Sequence, residues 1–284
     1  MYSGKGVGTL YVVATPIGNL DDITLRAVKV LKGVDLIACE DTRRTKKLLS
    51  HLGIEGKKLI SYHEHNEKEQ ARKLVSRLKE GLNVALVSDA GTPCISDPGY
   101  RLVNLSRSEG IPVVPVPGPS AVIAALSASG FPTDRFFFGG FLPRREKALF
   151  EELKEAFSRP FTSVYYESPH RLERTLKVIS ENFPEREIGL YREITKLNEE
   201  FLKGRAEDVL RELLSQNRLK GEIVILIPPG EGKKINPEEV DVDTLLKKLL
   251  KEGFSVKEAA KEAARRTGLP KRELYRRALE LSVN

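Results

Sequence analysis

The chain has no tryptophan, one methionine and two cysteines, and aromatic residues make up only 7% of its 284 positions. Cys39 and Cys94 show no Cys-x-x-Cys spacing, which excludes a disulfide framework and gives a thiolate zinc site nothing to build on. A reducing compartment fits that usage. No segment offers the roughly 20 consecutive apolar residues that span a bilayer. The start, Met1-Tyr2-Ser3-Gly4-Lys5-Gly6, has no basic stretch followed by an apolar run. The expectation is a soluble, cytoplasmic protein with no membrane contact. Two nucleotide signatures are also missing. There is no Gly-x-Gly-x-x-Gly, and Gly232-Lys233-Lys234 lacks the Ser or Thr that a phosphate loop needs after its lysine.

What is present is charge. Lys and Arg number 47 against 40 for Asp and Glu, a net charge of +7 that favours a polyanionic partner. From Lys251 onward there are nine basic residues against five acidic ones, so a short tail holds more than half of the excess. With 40% hydrophobic residues, collagen-like and disordered classes are excluded. The length suggests two domains at about 150 residues each.

The first 120 residues alternate β-branched apolar runs with amphipathic stretches, the pattern of βα units on a mostly parallel sheet. Strands are expected at Leu10–Thr15, Leu36–Glu40, Leu59–His63, Val84–Ser88 and Val113–Pro117. Helices fall between them, each closed near a glycine: Gly33, Gly53, Gly81 and Gly110. After Pro115-Val116-Pro117-Gly118-Pro119 the strand pattern changes. Strands at 135–141, 163–167, 187–192 and 222–227 alternate with helices at 146–157, 170–182 and 206–216. Pro228 to Lys234 reads as a linker. The expected fold is therefore α/β, with an N-terminal α/β domain over 1–119, a second over 120–230, and a linker with a basic helical appendage over 231–284. In that appendage Val256, Ala259, Ala260, Ala263 and Ala264 form a buried stripe. A turn at Gly268-Leu269-Pro270 leads to a helix marked as basic by Lys271, Arg272, Arg276 and Arg277, which resembles a helix-turn-helix unit.

In an open parallel sheet ligands bind outside the carboxyl ends of the strands. The loops there are polar: Thr15 to Asp22, Asp41 to Arg44, His63 to Asn66, and Asp89 to Gly99. Ala90-Gly91-Thr92-Pro93 combines small side chains with a stiffening proline, so a ligand can approach the backbone closely. Ser120-Ala121 opens a helix beside the same rim, a second cradle for a polar group.

Leu10 through Thr24, Cys39-Glu40-Asp41-Thr42-Arg43, Ser88 through Gly99, and Phe131 through Phe136 resemble the signature segments of the ribosomal RNA small-subunit methyltransferase I family, in the tetrapyrrole-methylase-like class. The resemblance implies a homodimer of two-domain chains, with S-adenosylmethionine folded into the cleft between the domains. Its acceptor would be the ribose 2′-hydroxyl of a cytidine in the decoding region of small-subunit (16S) ribosomal RNA, offered as free RNA or as the small ribosomal subunit. Carried over, the cofactor site would comprise Pro16, Gly91, Thr92, Pro93, Ile95, Ser120, Ala121 and Tyr166. The wider class usually has Gly-Asp-Pro where this chain has Gly91-Thr92-Pro93, which replaces an acid by a hydroxyl.

A ribose hydroxyl is a weak nucleophile and gains from a base within reach. His63, His65, Glu64, Asp41 and Asp89 stand on the rim; Asp89, beside the donor loop, and His63, just after the third strand, are the catalytic candidates. His63-x-His65 lacks a third ligand for zinc, so no metal is expected. Arg43, Arg44, Arg144, Arg145, His170 and Arg171, with Lys271, Arg272 and Arg276 of the tail, are positioned to meet phosphates or a splayed base. Two other readings stand beside this one: a tetrapyrrole C-methyltransferase, and a non-catalytic RNA-binding assembly factor that uses the tail alone.

Overall fold

Leu36–Cys39 (β2) and Val84–Val87 (β4) are buried at every position, as strands covered on both faces must be. In the computed structural model, which describes residues 6–230, 242–267 and 269–282, they form the centre of a five-stranded parallel sheet. The other strands are Leu10–Val13 (β1), Lys58–Ser61 (β3) and Val113–Val116 (β5), in the order β3-β2-β4-β1-β5. Side chains alternate across a strand, so each central strand feeds two cores. Leu36, Ala38, Val84 and Leu86 join Leu74, Leu78 and Leu102 of the helices Glu67–Lys79 (α3) and Tyr100–Ser108 (α4). Ile37, Cys39, Ala85 and Val87 join Ala27, Leu31 and Leu49 of Leu25–Gly33 (α1) and Thr42–His51 (α2) on the opposite face. Each fully buried Leu or Ile contributes about 1.5–3 kcal/mol. Local signals set the helix starts: Thr24 accepts the N–H of Ala27, and Asp41 accepts that of Arg43.

The second sheet is mixed. Phe136–Phe141 (β6) lies parallel to Thr162–Glu167 (β7), and Ile223–Ile227 (β10) runs antiparallel to both β7 and Glu187–Arg192 (β8). Glu200–Arg205 (β9) closes the edge in a hairpin with β8, giving the order β6-β7-β10-β8-β9. The sequence reading omits β9, because Glu200-Phe201-Leu202-Lys203-Gly204-Arg205 is a half-exposed edge strand with too few apolar residues to announce itself. Ala121–Ala128 (α5) packs Val122, Ala125 and Leu126 on Val164, Val224 and Leu226 of one face of this sheet. The boundary expected between 119 and 120 thus falls between β5 and α5. Glu146–Ser158 (α6), Pro169–Asn182 (α7) and Ala206–Ser215 (α8) complete the element order up to β10.

Two compact units divide the chain. The first comprises the described residues up to Leu153 together with Thr162–Pro228 and contains both sheets. The second joins Lys154–Phe161 to the described residues from Pro229 on. It contains the helices Val242–Lys251 (α9), Val256–Thr267 (α10) and Lys271–Ser282 (α11) around Leu246, Leu249, Ala259, Ala260, Ala263, Leu274 and Ala278. Val256 and Ala264 of the expected stripe are half-buried against that cluster. Ser255 and Glu258 form a capping box on α10, with the Ser255 N–H donating to Glu258 Oε2 at 3.0 Å. Beyond Gly230 the expected linker lies outside the described residues, as does Gly268 of the expected turn. No described helix is long and apolar enough to cross a membrane.

Candidate active site

β1 and β4 are neighbours, yet the chain leaves β1 for α1 on one face and β4 for α4 on the other. Diverging exits open a crevice at the carboxyl ends of these two strands. Reciprocal backbone bonds between Thr15 and Gly91, at 2.9 and 3.0 Å, tie its two sides together. The Thr92 hydroxyl then donates to the Pro119 carbonyl at 3.1 Å, joining the β4 loop to the segment that starts α5.

A cavity of about 370 Å³ occupies this crevice. From the first sheet come Ile17, Ala90, Gly91, Thr92, Ile95, Ser96 and Asp97; Ser120 and Ala121 come from the start of α5. The second sheet contributes Phe141, Tyr166 through Pro169, Ile194 and Gly221 through Val224. Gly91 sits at φ +79°, where a Cβ would come within 3.3 Å of Ile17, so only glycine keeps this peptide both relaxed and uncovered. Cys94 and Ser96 hold φ of 71° and 62°, left-handed conformations that side-chain-bearing residues seldom adopt. Strain of this kind gathers where a loop must present particular groups.

Six of the eight residues expected at the cofactor site line this cavity: Gly91, Thr92, Ile95, Ser120, Ala121 and Tyr166. Pro16 and Pro93 are buried beside lining residues without lining it themselves. The two catalytic candidates lie outside the lining. Asp89 accepts the Asp41 N–H at 2.9 Å and faces Arg44 Nε at 3.5 Å, so both oxygens are engaged. His63 sits beyond β3. The Asn66 carbonyl oxygen takes the His63 N–H, which leaves the amide nitrogen of Asn66 to donate to Nε2 at 3.2 Å. The ring hydrogen of the neutral imidazole is then on Nδ1, which is buried without a hydrogen-bond partner among the described residues.

Three acids line the cavity: Glu167 and Glu222 from the second sheet, and, on the loop after β4, Asp97. Burial raises its carboxyl to about 6, and the neighbouring Glu40 and Asp89 carboxylates push the same way against an opposing Ser88 hydroxyl. Glu40 is itself raised by burial and then by Asp89. The Tyr166 phenol is pushed up to about 12 by burial and then by Asp97. The lining thus carries a carboxyl raised to about 6 on the first-sheet side and a phenol that keeps its proton on the second-sheet side. In the sequence Asp97 is one loop acid among several, because its signal is partial burial, which no short motif displays.

The expected cationic residues are dispersed. Arg43 grips Asp41 through two bonds of 2.8 and 3.1 Å, yet its side chain is 87% exposed. Arg44, Arg144 and His170 are exposed too, as are Lys271, Arg272 and Arg276 on α11. Arg171 differs. Its guanidinium lies 2.6 Å from the buried Glu167 carboxylate and donates to the Leu142 carbonyl at 3.0 Å. Glu167 also takes the Thr175 hydroxyl at 2.7 Å, so Arg171 braces the cavity wall from behind.

The sequence pattern described as Tetrapyrrole (Corrin/Porphyrin) Methylases matches residues 9–210, and that described as RsmI C-terminal HTH domain matches 236–282. The protein named Ribosomal RNA small subunit methyltransferase I from Halalkalibacterium halodurans is 47% identical over 94% of this chain and 93% of its own length. Its namesake from Escherichia coli O157:H7 is 48% identical over 96% and 95%. A crystal structure of uroporphyrin-III-C-methyltransferase from Thermus thermophilus covers 78% of this chain and 94% of its own, with a TM-score of 0.52 and 23% identity. That likeness speaks for the fold alone. With most of its length matched by the methylase pattern and close relatives along nearly all of it, the chain belongs to the ribosomal RNA small subunit methyltransferase I family of tetrapyrrole-type methylases, whose cofactor is S-adenosylmethionine.

Proposed function

We propose that this chain methylates the ribose 2′-hydroxyl of a cytidine in the decoding region of small-subunit ribosomal RNA. The names of its relatives support ribosomal RNA as the acceptor. The observation that carries the reading is Asp97, a carboxyl raised to about 6 within the cavity of a methylase fold.

The cavity fits the cofactor. Gly91 leaves its peptide uncovered, Ile17, Ile223 and Val224 offer apolar surface to an adenine, and α5 starts without a side-chain cap, leaving N–H groups for a carboxylate. These residues, with Thr92, Ser120, Ala121 and Tyr166, would hold it. When bound, S-adenosylmethionine supplies an electrophilic methyl group, and the protein's task is alignment and management of one proton. Asp97 accepts the proton of the incoming hydroxyl. Its raised pKa suits the role, since a base poised near the working pH combines ionisation with driving force. Glu40 and Asp89 keep it there. Thr92 and Gly91 hold the loops in register, and Tyr166 remains a hydrogen-bond donor throughout.

The exposed Arg43, Arg44, Arg144 and His170, with Lys271, Arg272 and Arg276, bind RNA phosphates in this reading. The chain acts as a cytoplasmic homodimer with domains at 1–119 and 120–230 and an RNA-docking appendage beyond. A tetrapyrrole substrate is less favoured, because a compact macrocycle has no use for an exposed basic helix. Incubation with radiolabelled S-adenosylmethionine and either small ribosomal subunits or a porphyrinoid decides between them. Label in alkali-resistant dinucleotides from the RNA supports ribose methylation; label in the porphyrinoid alone, or in neither, rejects it.

A further inference from the structure

Strand β6 reads Phe-Phe-Phe-Gly-Gly-Phe, and its pairing with β7 shifts register between Phe138 and Phe141. In an unbroken strand these two residues, three apart, would point to opposite faces. Here both rings pack edge-on against Tyr166, at centroid separations of 5.1 and 5.5 Å. The two glycines supply the bulge that turns Phe141 around, with Gly140 at φ +68°. The bulge is set against the loop that carries Asp97: a Cβ on Gly140 would stand 3.5 Å from the Ser96 hydroxyl. Phe141 therefore lines the same cavity as Asp97, yet remains 57% exposed.

A large apolar ring held half in water beside a half-buried acid serves folding poorly. The enclosed apolar lining, Ile223 and Val224, is buried and suited to a cofactor; Phe141 stands at the mouth, where the second substrate must enter. We infer that Phe141, aimed by the Gly139-Gly140 bulge and steadied by Tyr166, is the platform on which the base of the acceptor nucleotide stacks once it is splayed out of the RNA. Aromatic faces receive unpaired bases in this way, and enzymes acting on a nucleotide draw it out of its stack first. An edge-to-face pair engages one face of a ring at most, so Phe141 keeps a face for a base. Stacking there fixes the attached ribose, and with it the hydroxyl presented to Asp97. The inference rests on the ribose-methylation reading above.

The test compares Phe141→Ala, Phe141→Leu and Phe141→Trp with the wild type. Unmethylated small ribosomal subunits are the acceptor, and donor affinity is measured separately by calorimetric titration of S-adenosylmethionine. Because the ring is largely exposed, all three variants should fold, which thermal denaturation checks. Phe141→Ala and Phe141→Leu should each lose about tenfold or more in kcat/KM for subunits, the scale of one lost base stack, with donor affinity within twofold. Phe141→Trp should retain activity. If Leu matches the wild type, bulk rather than a π-face is at work; if donor affinity falls in step with transfer, the ring belongs to the cofactor's adenine. Either result overturns the proposal, as does undiminished transfer by Phe141→Ala. Failure of the wild type itself to methylate ribosomal RNA would instead strike the parent reading.

Discussion

The Thr92 hydroxyl reaches across 3.1 Å to the carbonyl of Pro119, so the loop after β4 and the approach to α5 are one rigid corner of the cavity. Here the position is filled by a group that ties backbone to backbone. In the proposed site its contribution is alignment of the cofactor cradle, and that makes it separable from charge.

Thr92→Val keeps the shape and removes the bond. A typical hydrogen bond contributes about 0.5–1.5 kcal/mol net, so donor affinity should fall roughly two- to tenfold, while Thr92→Ser should stay near the wild type. Thr92→Arg should abolish donor binding by filling the cradle. Calorimetric titration with S-adenosylmethionine reads all three, and unaltered binding by Thr92→Arg would remove the loop from the site.

Asp97→Asn should slow single-turnover methyl transfer by about 10²–10⁴-fold with the donor still bound. The wild-type rate should rise with pH through an inflection near 6, because only the ionised carboxylate takes the proton. Removing a neighbouring negative charge lowers an acid's pKa, so Glu40→Gln and Asp89→Asn should both move the inflection downward, Glu40→Gln by more. An inflection that stays put in both variants would show that another group titrates.

Asp97 also gives a stability signature. Its folded pKa lies above the ordinary carboxylate value, so between about pH 4 and 6 the native state binds the extra proton and stability falls as pH rises. Asp97→Asn removes that loss. Its melting temperature should exceed the wild type's at pH 8 and draw level or below at pH 4, a crossover that scanning calorimetry would register.

Glu167 is buried and held by Arg171 and Thr175. Arg171→Ala leaves a buried carboxylate uncompensated and should cost about 3–5 kcal/mol, visible as a lower urea midpoint. His170→Ala, next to it but exposed, should leave the midpoint unchanged. Equal midpoints for both would mean that Arg171 acts only at the surface.

Lys271, Arg272 and Arg276 are exposed along α11. Replacing all three by Ala should leave donor affinity intact, weaken subunit binding and flatten its dependence on salt by up to about two units of log–log slope. An unchanged slope would show that no phosphates are met there.

Most of the fold was legible because its strongest determinants are local. Continuous apolar runs such as Val84–Val87, with glycines at the helix ends, locate the first sheet within a residue or two. The polar loops at its carboxyl edge likewise mark the rim, since topology places them there. What escaped depends on distant partners. β9 is one-sided and lies at an edge, so it lacks a period worth reading. Asp97 looks like any loop acid until burial and the nearness of Glu40 are known. Asp89 and His63, conspicuous in sequence, prove to be engaged by Asp41, Arg44 and Asn66. Arg171 resembles a surface cation until Glu167 is seen beneath it.

The two cores of the first sheet lie back from its carboxyl edge, under α1 and α2 on one side and α3 and α4 on the other. The acid, hydroxyl and ring at the cavity, Asp97, Thr92 and Phe141, belong to neither core, although Tyr62 just after β3 and Cys94 after β4 pack into one of them. A scaffold so divided can be retargeted: exchanging those three side chains alters what is recognised while the packing beneath them stays as it is.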